Sequence, residues 1–145
     1  MNRLFMESGF VSLNKQGEDL CGDFFTTVAD EDATTFVLSD GMGSGVKANI
    51  LATLTAKILA TMTANHLSIR ESVYTIAQTL PVCSVRKLAY STFTLMQVLP
   101  DWQVYLAQYD NPQAILLRQG KSVDYPAEHL TVGDKDILES RFRLQ

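Results

Sequence analysis

The run Phe36-Val-Leu-Ser-Asp40-Gly41-Met42-Gly43-Ser44-Gly45-Val46 leads from an apolar stretch through a turn holding three glycines into a long apolar-patterned segment. A strand, a glycine turn and a helix N-terminus in that order can cradle a phosphate, because unpaired N–H groups and the positive end of the helix dipole point at it. Gly43, Ser44 and Gly45 are the phosphate-loop candidates, and a tight connection with no ligand would use the same residues. A dinucleotide fingerprint is excluded, since Gly41-x-Gly43 would need its third glycine where Val46 stands. Asp40 adds a constraint: a bare carboxylate beside a phosphate repels it unless a cation lies between them. Mg²⁺ and Mn²⁺ favour carboxylate, carbonyl and water oxygens and commonly hold one or two carboxylates. Asp40 and the Gly41 carbonyl suit such an ion. Asp23 could join them at one sheet edge if its strand pairs with the strand of Asp40 as a hairpin. Asp-Gly is also a common turn dipeptide, so these residues alone leave both the metal and the turn reading open.

The elements that must position these residues are legible from periodicity. Phe10-Val-Ser-Leu-Asn14 alternates and is expected as a strand, ended by the turn-prone Lys15–Asp19; Phe24–Ala29 and Thr34–Ser39 follow as strands around an Asp30-Glu-Asp32 turn. From Val46 to Met62, apolar residues at 46, 50, 54, 58 and 62 predict a helix that buries this stripe, widened by Leu51 and Leu59. Ser68-Ile-Arg-Glu71 fits a capping box and opens a second helix through Val73, Ile76 and Leu80, stopped by Pro81. The two helices form a hairpin. The period then returns to two over Thr92–Leu99, Trp102–Tyr109 and Ala114–Arg118, with turns at Pro100-Asp101, Asn111-Pro112 and Gly120. Strands, two helices and strands again describe an α+β domain with mainly antiparallel pairing, and residues 1–145 read as one domain without a linker or repeat.

Composition limits what such a domain does. The 145 residues are 46% apolar, 19% charged and 9% aromatic, as in an ordinary globular domain, and a core needs no staples at this length. The net charge of −4, with no run of Lys or Arg, argues against nucleic acid as a partner. No stretch approaches the roughly 18 apolar residues of a membrane span, and Glu7 interrupts any signal-like start, so a cytoplasmic location is expected. Cys21 and Cys83 form neither a disulfide framework nor a zinc spacing and are expected to be inert. His66 and His129 are isolated and receive no role. Trp102 and Tyr105 are expected to pack, and Lys47 to be a solvated lysine.

Gly22-Asp23-Phe24, the block Leu38-Ser39-Asp40-Gly41-Met42-Gly43-Ser44-Gly45-Val46-Lys47-Ala48 and the later Asn111-Pro112-Gln113-Ala114-Ile115-Leu116-Leu117-Arg118 together resemble the stage II sporulation E-like branch of the type-2C, metal-dependent protein phosphatases. The resemblance covers about residues 10–145. It implies a sandwich of antiparallel sheets flanked by the helical hairpin, with a dinuclear Mn²⁺ or Mg²⁺ centre that hydrolyses phosphoserine or phosphothreonine through a metal-activated water. Asp23, Asp40 and Gly41, through its carbonyl, would be metal ligands, and no side-chain nucleophile is required. The implied partner is a phosphoprotein, of the kind found in anti-sigma and anti-sigma-antagonist pathways.

One departure accompanies the resemblance. Relatives carry a further Asp-Gly after a late strand and another late Asp. Here no Asp-Gly follows Gly41, and neither Gly133-Asp134 nor Asp136 matches that motif. The chain therefore reads as the N-terminal portion of a phosphatase domain, incomplete at its C-terminus, with at most a partly bound metal centre and little or no activity alone. An exposed sheet edge would suit a homodimer. The alternative is a non-catalytic phosphatase-like binding or regulatory module.

Overall fold

The computed structural model describes residues 5–13, 16–17, 22–41, 45–65, 68–79, 82–83, 88–89, 91–133 and 135–144. Strands β1 (Asp23–Ala29) and β2 (Thr34–Gly41) form an antiparallel hairpin. Its turn is built by Asp30, whose Oδ1 accepts from the N–H groups of Asp32 (2.7 Å) and Ala33 (2.9 Å), while its own N–H donates to the Ala33 carbonyl (3.0 Å). An aspartate side chain bonding the backbone two and three residues on is what makes Asp a turn former.

Helix α1 (Gly45–Ala64) and helix α2 (Ile69–Thr79) come next, then the short strands β3 (Val82–Cys83) and β4 (Leu88–Ala89), paired with each other. Ser68 precedes α2 and its carbonyl accepts the first intrahelical bond, from the Ser72 N–H at 2.9 Å. Six strands follow: β5 (Ser91–Val98), β6 (Gln103–Tyr109), β7 (Leu116–Arg118), β8 (Lys121–Val123), β9 (Glu128–Val132) and β10 (Lys135–Arg143). The main sheet has the order β1-β2-β5-β6-β10-β9, antiparallel throughout, with β1 and β9 outermost; β7 and β8 form a separate hairpin. The α+β class, the antiparallel pairing and the helical hairpin are as the sequence predicts.

Both helices cover one face of this sheet, and the core lies between. Val37, Phe93, Leu95, Tyr105 and Ile137 from the strands meet Leu59 of α1 and Val73 and Ile76 of α2. The opposite face carries Phe25 and Phe36, with Phe10 stacked on Phe25 at 4.9 Å between ring centres and Tyr125 stacked on Phe142 at 5.3 Å. The expected first strand is not formed over its described residues, Phe10–Leu13. Val11 and Leu13 are largely exposed, so the segment lies on the sheet through the Phe10 ring and does not bury the alternating face of a strand.

The long helix turns the other way from expectation. Val46, Ile50 and Leu54 are 63%, 56% and 55% exposed, and Ile58 and Met62 only partly buried. The buried face is instead Ala48, Ala52, Thr55, Ala56, Leu59, Ala60 and Thr63. The cause is the closeness of α1 to β1 and β2: the Ser39 hydroxyl donates to the Ala52 carbonyl, and the Ala48 backbone abuts Gly41. Only small side chains fit between backbones at that separation, so the larger apolar residues point outward.

Candidate functional site

Asp23 is the first residue of β1 and Asp40 the penultimate residue of β2, and the two are Cα partners across the antiparallel ladder. Directly opposed residues of such a pair project from the same face with Cβ atoms about 4.5–5.5 Å apart. That face is the one away from the helices, because the neighbouring Ser39 reaches to Ala52 on α1 and side chains alternate along a strand. Asp40 and Asp23 are both exposed. The fold thus brings together the two carboxylates that the sequence singled out.

Gly41 is buried, and its N–H donates to the Gly22 carbonyl at 2.8 Å, closing the end of the hairpin beside Asp23. A Cβ added at position 41 would lie 1.8 Å from the Ala48 carbonyl oxygen and 2.5 Å from its carbon. The glycines of this turn are expected from the sequence to admit a ligand closely; at position 41 the close approach is that of α1. Gly43 and Ser44 lie outside the described residues, as do Cys21, His66 and Asp134; Gly45 opens α1.

A second group of polar side chains, which the sequence reading did not assign to the site, gathers at the same end of the sheet. Thr92 on β5 is the Cα partner of Asp40, and Thr94 that of Leu38. Asn111 follows the end of β6 and links them: its Oδ1 accepts from the Thr92 hydroxyl, and its Nδ2 donates to Thr94 Oγ1 at 2.9 Å and to the Leu38 carbonyl at 3.5 Å. The only signal available was the Asn-Pro dipeptide itself, quoted for its resemblance and read as a turn.

Tyr105 and His129 lie away from the two carboxylates. Tyr105 is buried on the helix face and its hydroxyl donates to Glu139 Oε2 at 2.6 Å; the same oxygen meets Arg70 Nε at 3.4 Å, and the Arg141 guanidinium lies 5.3 Å from the Tyr105 ring centre. Burial, then the hydrogen bond to Glu139 and its negative charge, push the Tyr105 phenol well above its ordinary value. His129 pairs with Asp136 at 2.8 Å on the surface.

Two opposed carboxylates fit one hydrated hard cation, since Mg²⁺ usually keeps several waters and takes only one or two protein carboxylates. Among the described residues no group of three or more His, Cys, Asp or Glu is gathered, so a two-metal centre would need oxygen ligands beyond these.

The sequence pattern of the stage II sporulation protein E (SpoIIE) family matches residues 30–141, most of the chain and including Asp40, Gly41 and Asn111. The chain belongs to the SpoIIE family. Solved structures agree with the fold this implies. The PP2C phosphatase domain of SpoIIE from Bacillus subtilis, solved with a fragment of its regulatory domain, superposes with a TM-score of 0.78 at 21% identity. RsbX, crystallised in complex with magnesium, gives 0.70 at 20% identity, and the RsbU and RsbW domains of a Mycobacterium tuberculosis protein give 0.71 at 14%. These alignments cover 93%, 93% and 92% of this chain, which in turn spans 41%, 66% and 38% of the three structures. No curated protein sequence matches significantly. This SpoIIE-family chain therefore has the PP2C type of fold, and the family is one of metal-dependent protein phosphatases. Among the described residues no helix is long and apolar enough to cross a membrane.

Proposed function

We propose that this chain carries part of the divalent-cation centre of a protein serine/threonine phosphatase, with Asp23 and Asp40 as the carboxylate ligands of Mn²⁺ or Mg²⁺ and the Gly41 carbonyl beside them. The observation that supports this most is the register of the first hairpin, which sets Asp23 opposite Asp40 on one face. Mg²⁺ and Mn²⁺ take one or two carboxylates and fill their other positions with water, which suits two carboxylates set opposite one another. When bound, the metal supplies Lewis acidity and a water of lowered pKa for attack on phosphorus. Asp23 and Asp40 would hold the ion, and the chain positions them: the Asp30 turn fixes the hairpin register, and Gly41 ties the strand end to α1. Gly43, Ser44 and Gly45 are the proposed phosphate-loop residues, since backbone N–H groups at a helix N-terminus favour an anion.

The proposed substrate is a phosphoserine or phosphothreonine of a phosphoprotein, in a pathway of the anti-sigma or anti-sigma-antagonist type, acting in the cytoplasm. That RsbX was crystallised with magnesium supports a cation of this class. An edge-to-edge homodimer through an outer strand, β1 or β9, belongs to the same proposal.

A second reading, a non-catalytic phosphatase-like module, is favoured by the gathering of just two carboxylates among the described residues. Hydrolysis of p-nitrophenyl phosphate and of a phosphothreonine peptide, measured beside Mn²⁺ titration of the 145-residue chain and of Asp40→Asn, separates the two. Slow turnover lost in Asp40→Asn supports the phosphatase reading. Mn²⁺ binding that is lost in Asp40→Asn, with negligible turnover, supports a partial phosphatase centre, and no Mn²⁺ binding supports the module.

A further inference from the structure

The end of β2 that carries Asp40 is held from both sides. On the helix face, the Ser39 hydroxyl donates to the Ala52 carbonyl of α1. On the opposite face a single side chain, Asn111, spans two strands. Strand β6 ends at Tyr109, Asp110 takes the left-handed conformation with φ of 53°, and the chain turns so that Asn111 lies over the start of β5. Left-handed geometry is tolerated by Asp among non-glycine residues, so the turn is made without a glycine.

The three contacts of Asn111 use what an amide has and other side chains lack. It accepts from the Thr92 hydroxyl and donates to Thr94 Oγ1 and to the Leu38 carbonyl. An aspartate would lose both donations, and a leucine of similar shape would lose all three contacts. Two of the contacts border the proposed ligand: Thr92 is the cross-strand partner of Asp40 itself, and Leu38 lies two residues before it on β2. Half-buried between them, Asn111 fixes the lateral position of the β2 end against β5. Among the described residues Asp23 stands on the outermost strand on its side of the main sheet, β1, whereas Asp40 lies between β1 and β5, where the interior of the sheet can set its position.

We propose that Asn111 is a positioning residue for cation binding, holding the β2 end through Thr92 and Leu38 so that the Asp40 carboxylate is set opposite Asp23 before the ion arrives. The inference rests on the reading of Asp23 and Asp40 as a cation site. Residues that orient a ligand through hydrogen bonds typically change metal affinity by about 10–100-fold when removed. Asn111 is assigned here as a positioning residue and not as a ligand: its Oδ1 accepts from Thr92 and its Nδ2 donates to Thr94 and Leu38.

The test is Mn²⁺ titration of the 145-residue chain, followed by the electron paramagnetic resonance signal of free Mn²⁺, in wild type, Asp40→Asn, Asn111→Ala, Thr92→Val and Thr92→Ser. Expected is binding in wild type that Asp40→Asn abolishes, Kd raised about tenfold or more by Asn111→Ala and by Thr92→Val, and near-wild-type affinity in Thr92→Ser, which keeps the hydroxyl. That rescue distinguishes positioning from bulk packing, because serine removes the methyl and retains the donor. If Asn111→Ala does not fold, the valine and serine pair at position 92 decides alone. Binding lost in Asp40→Asn but equal in wild type, Asn111→Ala and Thr92→Val overturns the role of Asn111 and leaves the cation site standing. No binding in wild type overturns the cation site, and the role of Asn111 with it.

Discussion

The Ala48 carbonyl oxygen occupies the space in which a side chain on Gly41 would begin, at 1.8 Å from the position of its Cβ. Helix α1 and the end of β2 are therefore locked backbone to backbone, one residue after the carboxylate of Asp40. The contact places a packing demand on position 41, the buried neighbour of the exposed Asp40.

Gly41→Ala is accordingly expected to destabilise the chain by about 3 kcal/mol or more, since the clashing atoms all belong to the Ala48 backbone and none can swing aside. Urea denaturation compared with Gly120→Ala sorts the causes. Gly120 has a positive φ of 76° and open space around its Cβ position, so its substitution costs only backbone strain, about 1 kcal/mol. Equal costs at the two positions would contradict the contact.

The two faces of α1 give a sharper contrast. Leu54→Gln and Ile50→Gln, on the outward face, are expected to change stability by no more than about 0.5 kcal/mol in the monomeric chain. Leu59→Ala, at a fully buried position in the core cluster, is expected to cost about 2–5 kcal/mol. Ala52→Leu should be at least as damaging, because its neighbour across the interface is the β2 strand itself. A larger loss in Leu54→Gln than in Leu59→Ala would show that the helix presents the other face.

This contrast also shows where sequence reasoning runs out. The α1 segment is apolar on nearly all sides, so a stripe of the largest residues at 46, 50, 54, 58 and 62 is only one of several faces that fit. What selects among them is the distance to the sheet, and that distance is set by Gly41 and Ser39 on another element. The carboxylate pair was legible for the opposite reason. Once Asp30 makes the turn, Ala29 opposes Thr34, and counting outward along both strands puts Asp23 opposite Asp40. Local turn chemistry thus fixes a pairing many residues away, whereas the Asn111 contacts depend on how a loop folds over a third strand, which no periodicity encodes.

The Tyr105–Glu139–Arg70 cluster joins α2 to β6 and β10 and makes a pH-dependent contribution. Folding raises the phenol above its ordinary value near 10, so the neutral form is the one the native state favours. The stabilisation is therefore complete below pH 10 and is lost as pH rises above 10 toward the folded value. Tyr105→Phe is expected to cost about 1 kcal/mol at neutral pH through the lost hydrogen bond to Glu139 and to flatten the fall of stability above pH 10. Denaturant melts at pH 8 and pH 11 measure both; a fall of the same steepness in Tyr105→Phe would place the alkaline sensitivity elsewhere.

The role of Asp23 and Asp40 as one cation site is tested most directly by the thermal midpoint of the chain with increasing Mn²⁺. An ion that binds only the folded state stabilises it by about 2.7 kcal/mol at a hundred times its Kd. Wild type is expected to show a saturable rise in midpoint, and Asp23→Asn and Asp40→Asn each to remove it, while Asp136→Asn, on the surface beside His129, retains it. A rise that survives both substitutions, or no rise in wild type, would contradict the pairing of these two carboxylates around a metal ion.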